Sequence, residues 1–134
     1  MRLPRMFTPR TIVRAHCDLP CGVYDPAQAK IEAESVKAIC EKYQANSDPD
    51  FRTRAIVIKE QRAELVKHHL WVLWTDYFKP PHFEKYPNLH QLFNEATKLA
   101  GGAGAKGSAD PDVAEQLLGK IEEISKIFWE TKQA

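Results

Sequence analysis

Apolar residues recur at helical spacing in four stretches of this chain, and none alternates with period two for long enough to make a strand. Asp25-Pro26 sets an N-cap before a proline at the first helical position. From there to about Gln44 there is neither Gly nor Pro, and Ala29, Val36, Ile39 and Tyr43 mark one face. Asn46-Ser47-Asp48-Pro49 breaks the pattern. A second helix is predicted from near Phe51 to near Tyr77, with Ala55, Ile58, Val66, Leu70 and Leu73 along its stripe, and Pro80-Pro81 ends it. A third spans Pro87 to about Leu99, with Leu89, Leu92, Phe93 and Ala96 inward. The small residues from Gly101 to Gly104 and beyond read as a flexible connection. Asp110-Pro111 then opens the last helix, whose apolar face carries Ala114, Leu117, Leu118, Ile121, Ile124 and Phe128. These stripes predict an all-α fold, an antiparallel up-down four-helix bundle over residues 25–134.

Composition narrows the class. A chain of 134 residues, 43% hydrophobic and 28% charged, suits one globular domain. No apolar run approaches the roughly 20 residues of a membrane-spanning helix. Three cysteines are too few and too odd in number for a disulfide framework. A net charge of +1 gives no electrostatic reason to expect nucleic acid as a partner. That balance hides an asymmetry, because residues 1–15 hold Arg2, Arg5, Arg10 and Arg14 and no acid, a local +4 that leaves −3 for the remainder. Residues 1–15 therefore read as a separate leader. It has no apolar core, no pair of small residues before Ala15 and no twin arginine, so export is not indicated and the expected location is cytoplasmic.

Two charges break the apolar stripes. Glu32 lies between Ala29 and Val36, and Arg62 between Ile58 and Val66. A buried unpaired charge costs several kcal/mol, so the two are expected to face each other, as a structural pair or as one that orients a functional group. Other candidates read more plainly. His68 and His69 are adjacent on a helix and point about 100° apart, poor geometry for one ion. His82 and His90 read as surface or packing residues, and Cys40 as a small buried hydrophobe. Trp71, Trp74 and Trp129 are expected in the core. Phe78, Phe83 and Tyr86, beside two prolines, suit a subunit contact.

The densest chemistry lies in His16-Cys17-Asp18-Leu19-Pro20-Cys21-Gly22-Val23-Tyr24. Two cysteines four apart form either a redox disulfide or half of a metal site, and the preceding histidine favours metal if the chain is cut after Ala15. The freed His16 amine and the Cys17 amide nitrogen close one five-membered chelate ring. That nitrogen and the Cys17 sulfur close a second. Cys21 can supply a fourth planar donor and the His16 imidazole an axial one. Planar N and S ligation suits Ni(II) or Cu(II). Zinc prefers a tetrahedron, and thiolates reduce Cu(II), which favours nickel. A metal carrier using the same hook, or a thiol–disulfide protein using Cys17 and Cys21, are the readings in other classes.

The hook from His16 to Pro26 resembles the mature N-terminus of the nickel-containing superoxide dismutase family. So do the stretch from Lys67-His68-His69 through Leu73-Trp74 to Asp76–Pro87, and the ending Ile127-Phe128-Trp129-Glu130-Thr131-Lys132. The resemblance implies a four-helix bundle assembled as a homohexamer, processed by a protease that removes residues 1–15, with the nickel-binding hook at 16–24. It implies one nickel ion per subunit, held by His16, Cys17 and Cys21. Glu32 and Arg62 match residues that orient the histidine ring, Asp18, Pro20 and Tyr24 match residues that shape and guard the metal, and Leu19-Pro20 matches a cis bond. The implied reaction converts superoxide to dioxygen and hydrogen peroxide as nickel alternates between Ni(III) and Ni(II). Tyr24 is then a candidate for ordering water or donating protons, and Lys79 for attracting the anion.

Overall fold

Each long helix that follows an Asp-Pro pair starts the same way. The Asp25 carboxylate accepts from the Ala27 N–H (2.8 Å), Asp48 from Phe51 (2.9 Å) and Asp110 from Asp112 (2.9 Å). The carboxylate satisfies an orphan donor, and the proline gives up an N–H that would have none. The computed structural model describes residues 22–134. The leader 1–15, the hook residues His16, Cys17, Asp18, Leu19, Pro20 and Cys21, and the bond expected to be cis at Leu19-Pro20 lie outside the described residues. The elements are α1 (Ala27–Ala45), α2 (Pro49–Val72), a π turn (Leu73–Tyr77), α3 (Pro80–Lys85), α4 (Leu89–Ala100) and α5 (Pro111–Gln133). There is no strand among the described residues.

The four long helices close an up-down-up-down bundle. Lys30 pairs with Glu122 (3.3 Å) and Lys37 with Glu115 (2.6 Å), which runs α1 against α5, and Lys120 pairs with Glu95 (2.8 Å) to run α5 against α4. Each exposed pair contributes little to stability, and the apolar interior carries the fold. Ala29, Ala33, Val36 and Cys40 of α1 meet Ala63, Val66 and Leu70 of α2, while Leu92, Phe93, Ala96, Leu117, Ile121, Ile124 and Phe128 fill the other half. The alanines let α1 and α2 approach closely. Cys40 is fully buried, and desolvation pushes its thiol pKa up, so it behaves as a small apolar side chain.

Several expectations change. The inward residue on α2 is Lys59, 1% exposed, and not Ile58. Its ammonium donates to the carbonyls of Ala105 (2.5 Å), Lys106 (2.7 Å) and Ser108 (2.9 Å). Burial pushes the Lys59 pKa down, but only the charged form has three donors for three carbonyls. The connection between α4 and α5, expected to be flexible, is a packed turn. The Ala105 N–H bonds to Leu99 O (2.7 Å), and a Cβ on Gly104 would overlap the Leu99 backbone. Replacing Lys59 with Met strands three carbonyls, so urea unfolding of Lys59→Met should show a loss of about 2–4 kcal/mol. A loss within experimental scatter would mean the loop needs no such anchor.

The end of α2 also differs. Helix continues to Tyr77 as expected, but Phe78 N–H reaches Leu73 O (3.0 Å), five residues back, and the Thr75 hydroxyl takes the Trp71 carbonyl (2.8 Å). Pro80-Pro81, read as a stop, also forms the first turn of α3. The aromatic expectations invert. Phe78 is buried, Phe83 stacks on His90 within the subunit, and the Tyr86 hydroxyl donates to Glu130 (2.7 Å). Trp71 and Trp129, expected in the core, are 39% and 48% exposed, whereas Trp74 is half-buried against Phe93.

Candidate metal centre

Gly22 joins the hook to the bundle at φ +74°, a left-handed conformation that side chains disfavour. A Cβ there would meet no atom of the described residues within 4 Å, and the left-handed backbone is reason enough for the glycine. Two residues on, half-buried Tyr24 packs against Tyr77 of the π turn, ring centres 5.6 Å apart and planes at 58°. Tyr77 in turn touches Phe128 (4.4 Å) and Phe78 (4.9 Å), anchoring the first described residues to the bundle core.

Hydrogen-bond direction fixes the role of the Tyr77 hydroxyl. The Tyr77 and Thr131 hydroxyl oxygens are 2.6 Å apart, and the Thr131 hydroxyl donates to Phe128 O (2.6 Å). Threonine has one hydroxyl proton, so Tyr77 is the donor to Thr131. Tyr77 is a residue the reading of the site missed. The available signal was an aromatic side chain ending α2, opposite the start of α1 in an antiparallel pair.

Glu32 and Arg62 meet as their positions on the stripes predict. One Arg62 Nη1 donates to both carboxylate oxygens, at 3.1 and 3.3 Å. The pair is only partly covered, with side chains 16% (Glu32) and 38% (Arg62) exposed, so its cost and its gain are both smaller than for the fully buried pair expected. Arg62 holds the carboxylate in one orientation, which suits Glu32 to accept a further donor. His68 and His69 face each other edge-on at 5.4 Å and form no chelating pair. Among the described residues, no three His, Cys, Asp or Glu side chains cluster as metal ligands.

A helical bundle carrying an N-terminal His–Cys segment, with a tyrosine pair packed where that segment joins, has the make-up of a small helical metalloprotein. Comparison with known proteins narrows this. Residues 11–132 match the family described as nickel-containing superoxide dismutase. The chain is 66% identical over 132 residues to the nickel superoxide dismutases of Streptomyces coelicolor and Streptomyces seoulensis, covering 98% of this chain and 99% of each relative. The structure of a native nickel superoxide dismutase, 68% identical, superposes with a TM-score of 0.85 and covers 89% of this chain and 100% of the other.

The chain belongs to the nickel-containing superoxide dismutase family. It is an oxidoreductase, a superoxide dismutase with nickel as cofactor. Among the described residues, no helix is long and apolar enough to cross a membrane.

Proposed function

We propose that superoxide is disproportionated to dioxygen and hydrogen peroxide at a mononuclear nickel centre in the hook, formed once residues 1–15 are removed by a processing protease. The donor set fits the metal. His16 offers an amine and an imidazole, Cys17 an amide nitrogen and a thiolate, and Cys21 a second thiolate, a combination of N and soft S ligands suited to nickel. Bound there, nickel supplies a one-electron couple between Ni(III) and Ni(II), brought into reach by the electron-rich thiolates.

The chain's own residues do the rest. Glu32, fixed by Arg62, is a ready acceptor for the imidazole N–H of His16, the kind of outer contact that sets ring orientation at metal sites. Asp18, Pro20 and Tyr24 are the residues we assign to restricting access to a small anion. Tyr77 donates its proton to Thr131. Tyr24, which closes the hook and packs on Tyr77, is the candidate for ordering water or delivering a proton. The body of the chain is acidic, so attraction of superoxide is local, and Lys79 is the candidate for it.

The observation that carries this reading is the Glu32–Arg62 bond itself, two charges on apolar stripes joined at 3.1 Å. The match in length adds support: residues 16–134 are 119 of 134, the same 89% that the solved relative covers. The exposed Trp71, Trp129, Ile31 (59%) and Val57 (52%) suit a homo-oligomer, a hexamer, which removes such side chains from water. The proposed location is cytoplasmic, with no nucleic acid or membrane partner. Native mass spectrometry of the active protein should find six subunits of mass 16–134, each with one nickel. An active species that retains residues 1–15 would refute the scheme.

A further inference from the structure

His82 sits in the first turn of α3 and touches the tyrosine pair without belonging to it. Its Nδ1 accepts the Lys79 backbone N–H at 3.1 Å. A backbone N–H can only donate, so Nδ1 carries a lone pair and the imidazole is neutral there. In the same pose the ring lies within 15° of parallel to Tyr77, centres 5.8 Å apart, and edge-on to Phe78 at 5.7 Å. The bond that caps α3 and the ring contact that braces Tyr77 are therefore made by one imidazole in one protonation state.

A proton on Nδ1 would set two donors against each other, Nδ1–H and the Lys79 N–H. Pro80 and Pro81 follow and bring no N–H, so besides this bond the start of α3 is held by the His82 and Phe83 N–H groups on Lys79 O (2.9 and 3.4 Å). The ring must turn, and Tyr77 loses its parallel neighbour. The ionisable groups at this corner are Asp76 in the π turn, Lys79, Glu84, Lys85 and Tyr86 along α3, Tyr24 before α1, and Glu130 and Lys132 of α5, Glu130 accepting from the Tyr86 hydroxyl. The Lys132 ammonium lies 5.0 Å from the Tyr77 ring centre, and the Lys79 ammonium donates to Asp76 O (2.8 Å). His90 is the other imidazole of this corner. Its Nδ1 accepts the Trp74 indole N–H (2.9 Å), so it meets the same requirement one layer away.

We infer that His82 is a positioning residue for superoxide dismutation, bracing Tyr77 against Tyr24 only while its Nδ1 is unprotonated. The inference rests on the reading of Tyr24 as the hook residue that orders water or donates protons.

The test uses the nickel-loaded protein. Nitrogen NMR reads the protonation of His82, near-UV circular dichroism reads the tyrosine packing, and the dismutation rate is followed against pH. The expected result is a lone pair on Nδ1 at neutral pH, and a rate that falls about tenfold as that nitrogen is protonated, in step with the near-UV signal. His82→Phe keeps a ring but loses the acceptor, and should behave at neutral pH as the acidified protein does. His82→Asn places an oxygen where Nδ1 lies and cannot titrate. It should recover a severalfold higher rate than His82→Phe and show no acid step, whereas His90→Asn should retain that step. A proton on Nδ1 at neutral pH, or an acid step that survives in His82→Asn, overturns the inference. Should the wild type have no nickel-dependent rate, the hook reading falls. The wild-type NMR and near-UV titrations then still decide whether His82 braces Tyr77.

Discussion

The full-length chain, purified with residues 1–15 attached, should show superoxide dismutase activity below about one thousandth of that of the chain beginning at His16. The reason lies at one nitrogen. While Ala15 is attached, the His16 nitrogen is part of a peptide bond, and its lone pair is delocalised into the Ala15 carbonyl. It would then donate to a metal only by giving up a proton, and the donor set would lose a neutral amine. Cleavage restores that lone pair. The measurement compares the intact chain with one released to begin at His16 by a site-specific protease, both supplied with nickel. Equal rates would show that the amine is dispensable, and the ligand set proposed from His16, Cys17 and Cys21 would be wrong.

Cys17→Ser and Cys21→Ser should each lower bound nickel to below about one tenth per subunit and remove measurable turnover. The thiolate is the form that binds. A serine hydroxyl in its place is a hard, weakly acidic donor that neither holds nickel in this set nor brings its redox couple into reach. The helices should not notice, because the buried cluster is built from side chains between Ala29 and Phe128 on the helices and their links. Far-UV circular dichroism should match the wild type, and stability should stay within about 0.5 kcal/mol of it. A variant that keeps stoichiometric nickel would remove that sulfur from the ligand set. A variant that loses its helices would mean that the hook is part of the folding unit.

Much of this protein can be read along the chain. The Asp-Pro pairs mark where α1 and α5 begin, and the stripes on α4 and α5 match the buried residues almost position for position. Glu32 and Arg62 were legible for the opposite reason, since a charge on an apolar stripe demands a partner and each helix had one such demand. Lys59 defeated the same logic. Its partners are backbone carbonyls of a loop 46 to 49 residues away, and no pattern of residue types announces an orphan carbonyl. Ala55 and Ala63 did mark its stripe, four residues to either side, but alanine is too weak an apolar signal to outweigh Ile58. The tryptophans misled because size and hydrophobicity alone argue for burial. Whether a ring is covered depends on which neighbour fills the space first, and at this corner Phe93 and Phe128 do.

What the amino-acid order determined by itself was local or covalent: the helical periods, the caps, and the spacing of His16, Cys17 and Cys21 from which the proposed five-donor set is drawn. Tertiary structure alone decided the relations across the bundle. It turned the end of α2 into a π turn that sends Tyr77 toward Tyr24, and packed a glycine-rich loop around the Lys59 ammonium. The physical reason is one of range. Hydrogen-bond caps and chelate rings close within a few residues, so their geometry is written in sequence spacing. Packing and long-range pairing are fixed only when separate helices compete for the same interior volume.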